Sequence, residues 1–490
     1  MMQGSFHGPD PAVQSPGMPP PIHAERVVTR NFLALGSGEA VSRLIAFAAT
    51  AYIARSLGPA LFGAIGVAGA ILLYFNRVVD AGLELGLGVR EVAAAPGSLD
   101  RLVPSLLTVR MVLAAGLAVL LGVAGTLWLP QPEGALLAIY GLTLLPAGAS
   151  TRWVHLGFDR SRLIATALIV GQTLMVVLVV LLVRGPGDAG WVPGAQFVGD
   201  SLVALMLLWW FRANGMRLAF RVDWAVVGPL VHRAGSLVGS ALLGLWIYSS
   251  GMIFLRIFHD RSVVGYFWAA YTITTFFLNL GAAYGLSLLP SLTRLNAKPG
   301  EQQGLYHTAT AQAFAASLPI AVGGAILAMG GMQLVFGSAY APAGTAFFVL
   351  AWCIPACLLR DVALAPLVAR GREPAVFRVT LAAAVLSLGL NLALIPRYGA
   401  VGAAWATLGT EVARMALAMA ALRREAISLP APARFWRSLV AGAGMAGLLL
   451  LLPSLAPPLA VAVGAASYAV ALYLLGGLRV RRGELPALTV

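Results

Sequence analysis

The sequence predicts an all-α polytopic membrane protein, with about fourteen transmembrane helices forming two parallel six-helix lobes around a central cavity and two further helices at the C-terminal end. Three observations carry this prediction. Of 490 residues, 59% are hydrophobic and only 11% are charged, against about a quarter charged in soluble domains, and mean hydropathy is +0.85. No water-facing surface accommodates that much apolar area, which excludes soluble enzymes, disordered scaffolds and nucleic-acid binders. Apolar windows of about 19 residues recur along the whole chain. Basic residues alternate between successive connecting segments, as membrane orientation requires.

Residues 1–30, with Pro9, Pro11, Pro16, Pro19, Pro20 and Pro21, show no apolar period and read as a disordered cytoplasmic tail. They are not a signal peptide, because the first apolar run, residues 31–54, is long enough to span and carries Glu39 and Arg43. Further spans are predicted near 60–85, 104–128, 135–157, 163–183 and 191–211, completing an N-terminal lobe over 31–211. Residues 212–233 are polar and arginine-bearing and read as a cytoplasmic linker. Spans near 234–258, 263–289, 308–335, 343–369, 374–396 and 400–422 make a C-terminal lobe over 234–425. The last segment, 426–490, holds two extra spans near 436–455 and 458–478 and a cytoplasmic tail.

Placing the N-terminus inside assigns twenty-one Lys and Arg residues to the inner segments and only Arg55, Arg184, Arg261 and Arg397 to the outer loops. That asymmetry predicts both termini on the cytoplasmic side of the membrane. Trp209, Trp210 and Trp436, at the inner ends of their spans, fit interfacial anchoring. A repeat supports the two-lobe division. Gly63 and Gly265 follow short loops at equivalent places, and the same offset carries Ser37-Gly38 onto Gly239-Ser240. Six spans per unit is an even number, so both copies point the same way and a substrate path lies between them.

A charge at a helix centre costs roughly 2.5–3.5 kcal/mol on insertion, so each one kept there implies a partner or a wet cavity. Glu39 and Arg43 stand four residues apart in the favourable order for an intrahelical pair. Two readings stand: a self-satisfied pair, or an arginine available to an anion with its paired donors, released and recaptured by the acid. Arg77, Asp80 and Glu84 fall within about 60° on one helical face, where they meet an incoming headgroup or lock an inner gate. Arg360 and Asp361, adjacent in sequence, are not expected to share a face, whereas Glu411 and Arg414 are spaced to pair, and pairing between helices is favoured for this group. Asp200 stands alone in its span and is the best single candidate for a protonatable coupling site, with a hydrogen-bonded structural acid as the other reading. Arg256 is read either as snorkelling to the outer interface or as an anion contact, and Arg110 and Arg152 as anchors at the inner ends of their spans.

The segment from Asn391 through Ile395-Pro396-Arg397-Tyr398-Gly399-Ala400-Val401-Gly402 to Glu411 resembles the hallmark of polysaccharide transporters in the multidrug/oligosaccharidyl-lipid/polysaccharide (MOP) exporter superfamily. Asn31, Gly38, Tyr52-Ile-Ala-Arg-Ser-Leu-Gly-Pro59, Phe62-Gly63, Gly82-Leu83, Arg90-Glu91, Gly265-Tyr266 and Leu289-Pro290-Ser291 extend the resemblance over residues 31–425. The resemblance implies a flippase for polyprenyl-pyrophosphate-linked oligosaccharides serving O-antigen or exopolysaccharide synthesis, with a polysaccharide polymerase and a chain-length regulator as partners and no enzymatic activity. It makes Arg43, Arg77 and Arg256 the headgroup candidates. Glu39, Asp80, Glu84, Asp200, Arg360, Asp361, Glu411 and Arg414 become coupling or gating candidates. Taken by itself, the Pro396–Gly402 turn is a structural hairpin: Pro396 ends one span and Gly399 permits the turn.

The sequence carries no HExxH, GxSxG or P-loop pattern, and its six histidines show no ligand spacing. Cys353 and Cys357 lie one turn apart in an apolar run and act as small hydrophobes. No cofactor, metal or catalytic residue is expected. The rival readings are a lipid II flippase, favoured by fourteen spans, then a drug/cation antiporter of the same superfamily, whose cavity should be acidic. A non-transporting scaffold for glycan assembly and a membrane glycosyltransferase or polymerase follow, the latter disfavoured by short outer loops.

Overall fold

Eleven helices among the described residues are long and apolar enough to cross a membrane, against the fourteen expected. The computed structural model describes residues 21–84, 87–94, 99–158, 160–213, 222–479 and 487–488; the side chains of residues 21–40 and a few others lie outside that description. Much of the difference in count comes from two helices that are folded in half. Helix α1, Pro21–Asp80, starts within the segment expected to be a tail and carries the first two expected spans. At Gly58 its backbone turns to φ 75° and ψ 171°, a conformation glycine reaches without Cβ strain, with Pro59 following. The rings of Phe47 and Phe62 both lie within 6.4 Å of Phe336. On a straight helix those two residues would be about 22 Å apart, so α1 is a hairpin.

The N-terminal lobe continues through short α2 (Leu87–Ala94) and α3 (Leu99–Leu127). The fourth expected span is not one helix but three pieces, α4 (Glu133–Gly141), α5 (Leu144–Ala149) and α6 (Arg152–Gly157). Helices α7 (Ser161–Leu182) and α8 (Trp191–Ala213) complete the lobe. Helix α9 (Trp224–Phe258) begins ten residues earlier than the sequence predicted, inside the expected linker, because Asp223 caps it by accepting the Ala225 amide at 3.1 Å. The C-terminal lobe runs through α10 (Arg261–Arg294), α11 (Pro299–Ile326), α12 (Ala328–Phe336), α13 (Ala343–Leu350) and α14 (Cys353–Ala369) to α15 (Glu373–Arg424).

Helix α15 repeats the hairpin device at Gly399, with φ 53° and ψ −130°. Its arms press together: a Cβ added at Gly402 would strike the Leu394 carbonyl, and one at Gly409 would lie 3.1 Å from Leu390. Alanine at 399 also crowds Val263, 3.3 Å from the added carbon. Gly399→Ala is expected to cost about 1–3 kcal/mol, read as a lower unfolding midpoint of the detergent-solubilised protein. Helices α16 (Trp436–Leu451) and α17 (Pro457–Leu474) pack on α11, with Tyr468 donating to the Ala315 carbonyl at 2.7 Å. At 16 residues, α16 is apolar but falls short of a full span.

The lobes meet most closely at the end that bears Arg55, Arg184, Arg261 and Arg397. There the repeat-related glycines contact each other's hairpins reciprocally: a Cβ on Gly63 would strike Arg261 O and lie 2.8 Å from Gly265 N, and one on Gly265 would strike Pro59 O. Reciprocity of this kind is what a two-fold axis between equivalent elements produces. Phe62 stacks on Trp268 at 4.0 Å beside it. Arg55 donates to the carbonyls of Leu334 and Val335 at the end of α12, and Tyr340 donates to Ala54 O at 2.9 Å. The arginine-poor end is therefore closed. At the arginine-rich end, Arg233 of α9 meets Glu91 of α2 at 3.1 Å, and the Asp223 amide donates to Ser105 Oγ at 3.0 Å.

Candidate functional site

A cavity of about 330 Å³ opens inside the N-terminal lobe, with Leu245 of α9 closing it on the side of the other lobe. Its charged lining is Arg77, Asp80, Glu84, Arg110, Arg152 and Asp200. Three guanidiniums and three carboxylates at membrane depth are costly groups, and a wet cavity is the setting in which they are tolerated. Helix α1 ends at Asp80 because Ala81 and Gly82 take positive φ (51° and 73°), so Glu84 does not lie on the helical face that the sequence predicted. The three predicted residues still converge. The turn folds back so that the Glu84 amide donates to Asp80 Oδ1 at 3.2 Å, and Glu84 stands 3.6 Å from Arg152. The second oxygen of Asp80 is buried and has no hydrogen-bond partner among the described residues. Asp200 is exposed into the same space.

Arg110 and Arg152 are not anchors at the ends of their spans. Both line the cavity, and Arg110 is only 3% exposed. Its side chain donates to three backbone carbonyls, Val79 at 3.1 Å, Ser150 at 2.8 Å and Ala147 at 2.7 Å. The last two are freed by the break between α5 and α6, so this arginine satisfies groups that a continuous helix would have satisfied itself. Its forked geometry makes the set, and Arg110→Lys is expected to lower stability by about 2 kcal/mol, since two or more of these bonds are lost with the charge retained. Thermal unfolding of the variant checks this.

In the C-terminal lobe the charged candidates form a closed network instead of a cavity. Arg360 (α14) donates to Glu411 (α15) and to Asp361 Oδ1 at 2.8 Å, while Arg414 stands 3.7 Å from Glu411 and 3.3 Å from the Tyr248 hydroxyl. The expected inter-helix pairing of Arg360 with Glu411 is found. Arg360 and Asp361 do not share a helical face, yet they pair, because the guanidinium is long enough to curl back onto the neighbouring carboxylate. Glu411 is fully buried and Arg360 is 4% exposed, so the set is a pinned core feature.

Arg256 neither snorkels nor stands free. With Arg261 it donates to Glu133 Oε1, at 2.5 and 2.8 Å, across from one lobe to the other at the closed end, and Arg261 also reaches the Gln131 carbonyl. Sequence reasoning missed Glu133; the available signal was a lone acid in an otherwise uncharged outer loop. Arg43 is exposed on α1, one turn before Phe47, whose ring lies 6.0 Å from Phe276 of α10, so it sits on the face turned toward the cleft between lobes. It is not among the residues of the 330 Å³ cavity. The Glu39 side chain lies outside the described residues, and so does its expected pair with Arg43.

Two lobes of membrane-spanning helices, joined tightly at one end and with a polar cavity inside one of them, define the architecture of a membrane transporter. A family model described as "Polysaccharide biosynthesis protein" matches residues 28–296, more than half of the chain, and the chain belongs to that family. Among solved structures it is similar to the lipid II flippase MurJ in an inward closed conformation (TM-score 0.76, 11% identity, 90% of this chain and 98% of that one). It is also similar to an inward-facing multidrug resistance MATE transporter of the MOP superfamily (TM-score 0.64, 17% identity, 79% and 95%). A MOP superfamily transporter from Pyrococcus furiosus gives a TM-score of 0.57 at 15% identity, covering 86% and 96%. At these identities the likeness establishes the fold. Among curated proteins, none matches the chain in sequence.

Proposed function

We propose that this protein is a flippase that carries polyprenyl-pyrophosphate-linked oligosaccharide repeat units from the cytoplasmic to the outer leaflet of the inner membrane, by alternating access of its two lobes. The observation that carries the proposal is the arginine-bearing cavity beside the cleft, in a member of a polysaccharide biosynthesis family. Arg77 and Arg152 are the donors that take the pyrophosphate, with Asp80, Glu84 and Asp200 as exchangeable partners when the headgroup leaves. Arg43 receives it at the cleft. The lobes are 31–211 and 234–425, and both termini are cytoplasmic, so the arginine-poor end faces outward. The lipid tail stays in the bilayer while the headgroup crosses. An inside-negative potential favours outward movement of each uncompensated negative charge by about 2.3 kcal/mol per 100 mV. At the outer leaflet a polysaccharide polymerase and its chain-length regulator take over the product.

A lipid II flippase is the second reading, favoured by the TM-score of 0.76 to a protein of that description. Depletion in the native host separates the two. The first reading expects undelivered repeat units to accumulate on the cytoplasmic leaflet while wall synthesis continues; arrested peptidoglycan synthesis with normal surface polysaccharide would replace it with the second.

A further inference from the structure

We propose that the C-terminal lobe holds one anionic phospholipid in the groove between the two arms of α15, its phosphate between Arg378 and Arg424. The groove is a separate cavity of about 180 Å³, remote in sequence from every element of the transport site. Its floor is Ala375, Val379 and Ala382 from the first arm and Leu417, Ala420 and Ala421 from the second. Alanines at helical spacing hold the arms close, and their small side chains leave an apolar groove between them. Phe377 and Leu381 on its flanks and Leu417 in its floor are exposed, which places the groove on the lipid-facing side of the lobe.

The hairpin turns at Gly399, so both ends of α15 emerge at the arginine-rich end and bring Arg378 and Arg424 to one mouth of the groove. Both are exposed. Arg378 donates once, to the Pro374 carbonyl at 3.3 Å, and among the described residues neither arginine pairs with a carboxylate. The acid in the lining, Glu425, is taken by Arg372 at 3.0 Å, and its carbonyl by Arg370 at 2.7 Å. The mouth is thus a pair of uncompensated guanidiniums at headgroup level above an apolar channel. That is the chemistry of a phosphate ester carrying hydrocarbon chains. A second copy of this chain docked face to face would set these arginines against their own counterparts.

The inference does not depend on the transport reading. Its test is native mass spectrometry of the full-length protein, titrated with phosphatidylglycerol and with phosphatidylcholine of identical acyl chains. The intact protein is expected to retain one phosphatidylglycerol in preference to phosphatidylcholine, and the variant Arg378→Gln/Arg424→Gln to bind it roughly thirty-fold more weakly. Arg378→Lys/Arg424→Lys should recover most of the binding. Arg423→Gln/Arg434→Gln, with the same loss of charge at the same end but outside the groove, should leave it intact. Equal retention by the groove variant, equal loss in the control pair, absence of headgroup preference, or a dimer in place of the lipid would each overturn the assignment.

Discussion

Replacing Arg77 and Arg152 together by alanine is expected to slow flipping of a pyrophosphate-linked oligosaccharide roughly 100-fold or more, with little change in folding. A hydrogen bond from a charged donor is worth about 1.5–3 kcal/mol, and two guanidiniums facing one anion combine to at least about 3 kcal/mol, or two powers of ten. Both arginines line the cavity and are accessible from it, and neither is as deeply buried as Arg110. The variant should therefore fold, and its unfolding midpoint is the control. Each single replacement should give a smaller loss, and Arg77→Lys should retain part of the activity as a point charge without the fork. A double variant that flips within a few-fold of the intact protein would remove this cavity from the headgroup's path.

The second large effect is expected at the closed end. Glu133 is 1% exposed and binds two arginines from the other lobe, so Glu133→Ala leaves two half-buried cations facing each other with nothing between them. Loss of one partner from a buried pair costs about 3–5 kcal/mol; with Arg256 and Arg261 still reached by solvent, about 2–4 kcal/mol is expected here. That energy stabilises only the closed arrangement, so its loss should shift the population toward an end-open form by more than ten-fold. Spin labels on Gly187→Cys and Ser338→Cys, one on each lobe at this end, report the change as a longer, broader distance distribution. The native cysteines, Cys353 and Cys357, are fully buried and should not take label. An unchanged distribution in the alanine variant would mean that the glycine contact and the Phe62–Trp268 stack hold the end shut without Glu133.

The fold was legible because its strongest signals are local. Membrane spans follow from composition and length, and the Pro396–Gly399 turn, read as a hairpin, is one in the backbone. The 202-residue offset between Gly63 and Gly265 anticipated a repeat, and the two glycines turn out to touch each other's turns. The site was legible only in part. Arg77, Asp80 and Glu84 were grouped by helical angle and do share a cavity, yet by a turn that ends the helix at Asp80 and folds Glu84 back. Arg110 and Arg152 were misread because the sequence shows one unbroken apolar run over 135–157, with no glycine-proline turn at Leu142-Thr143 or Ser150-Thr151 to announce the breaks that admit them to the cavity. The role of Glu133 was missed for a different reason: the acid stands out in its loop, but its partners lie more than 120 residues away, on the other lobe. A one-dimensional pattern holds no information about which loops meet across a cleft.

The measurement that bears most directly on the transport reading is flipping by the purified protein in proteoliposomes. A polyprenyl-pyrophosphate-linked oligosaccharide is placed in one leaflet, and its arrival in the other is read with a glycosidase or lectin, with and without an imposed potential. Protein-dependent arrival, abolished in the Arg77→Ala/Arg152→Ala variant, is the predicted result. Folded protein that moves no such lipid under a potential or an ion gradient would contradict the account and return the chain to its rivals, a scaffold or a drug antiporter.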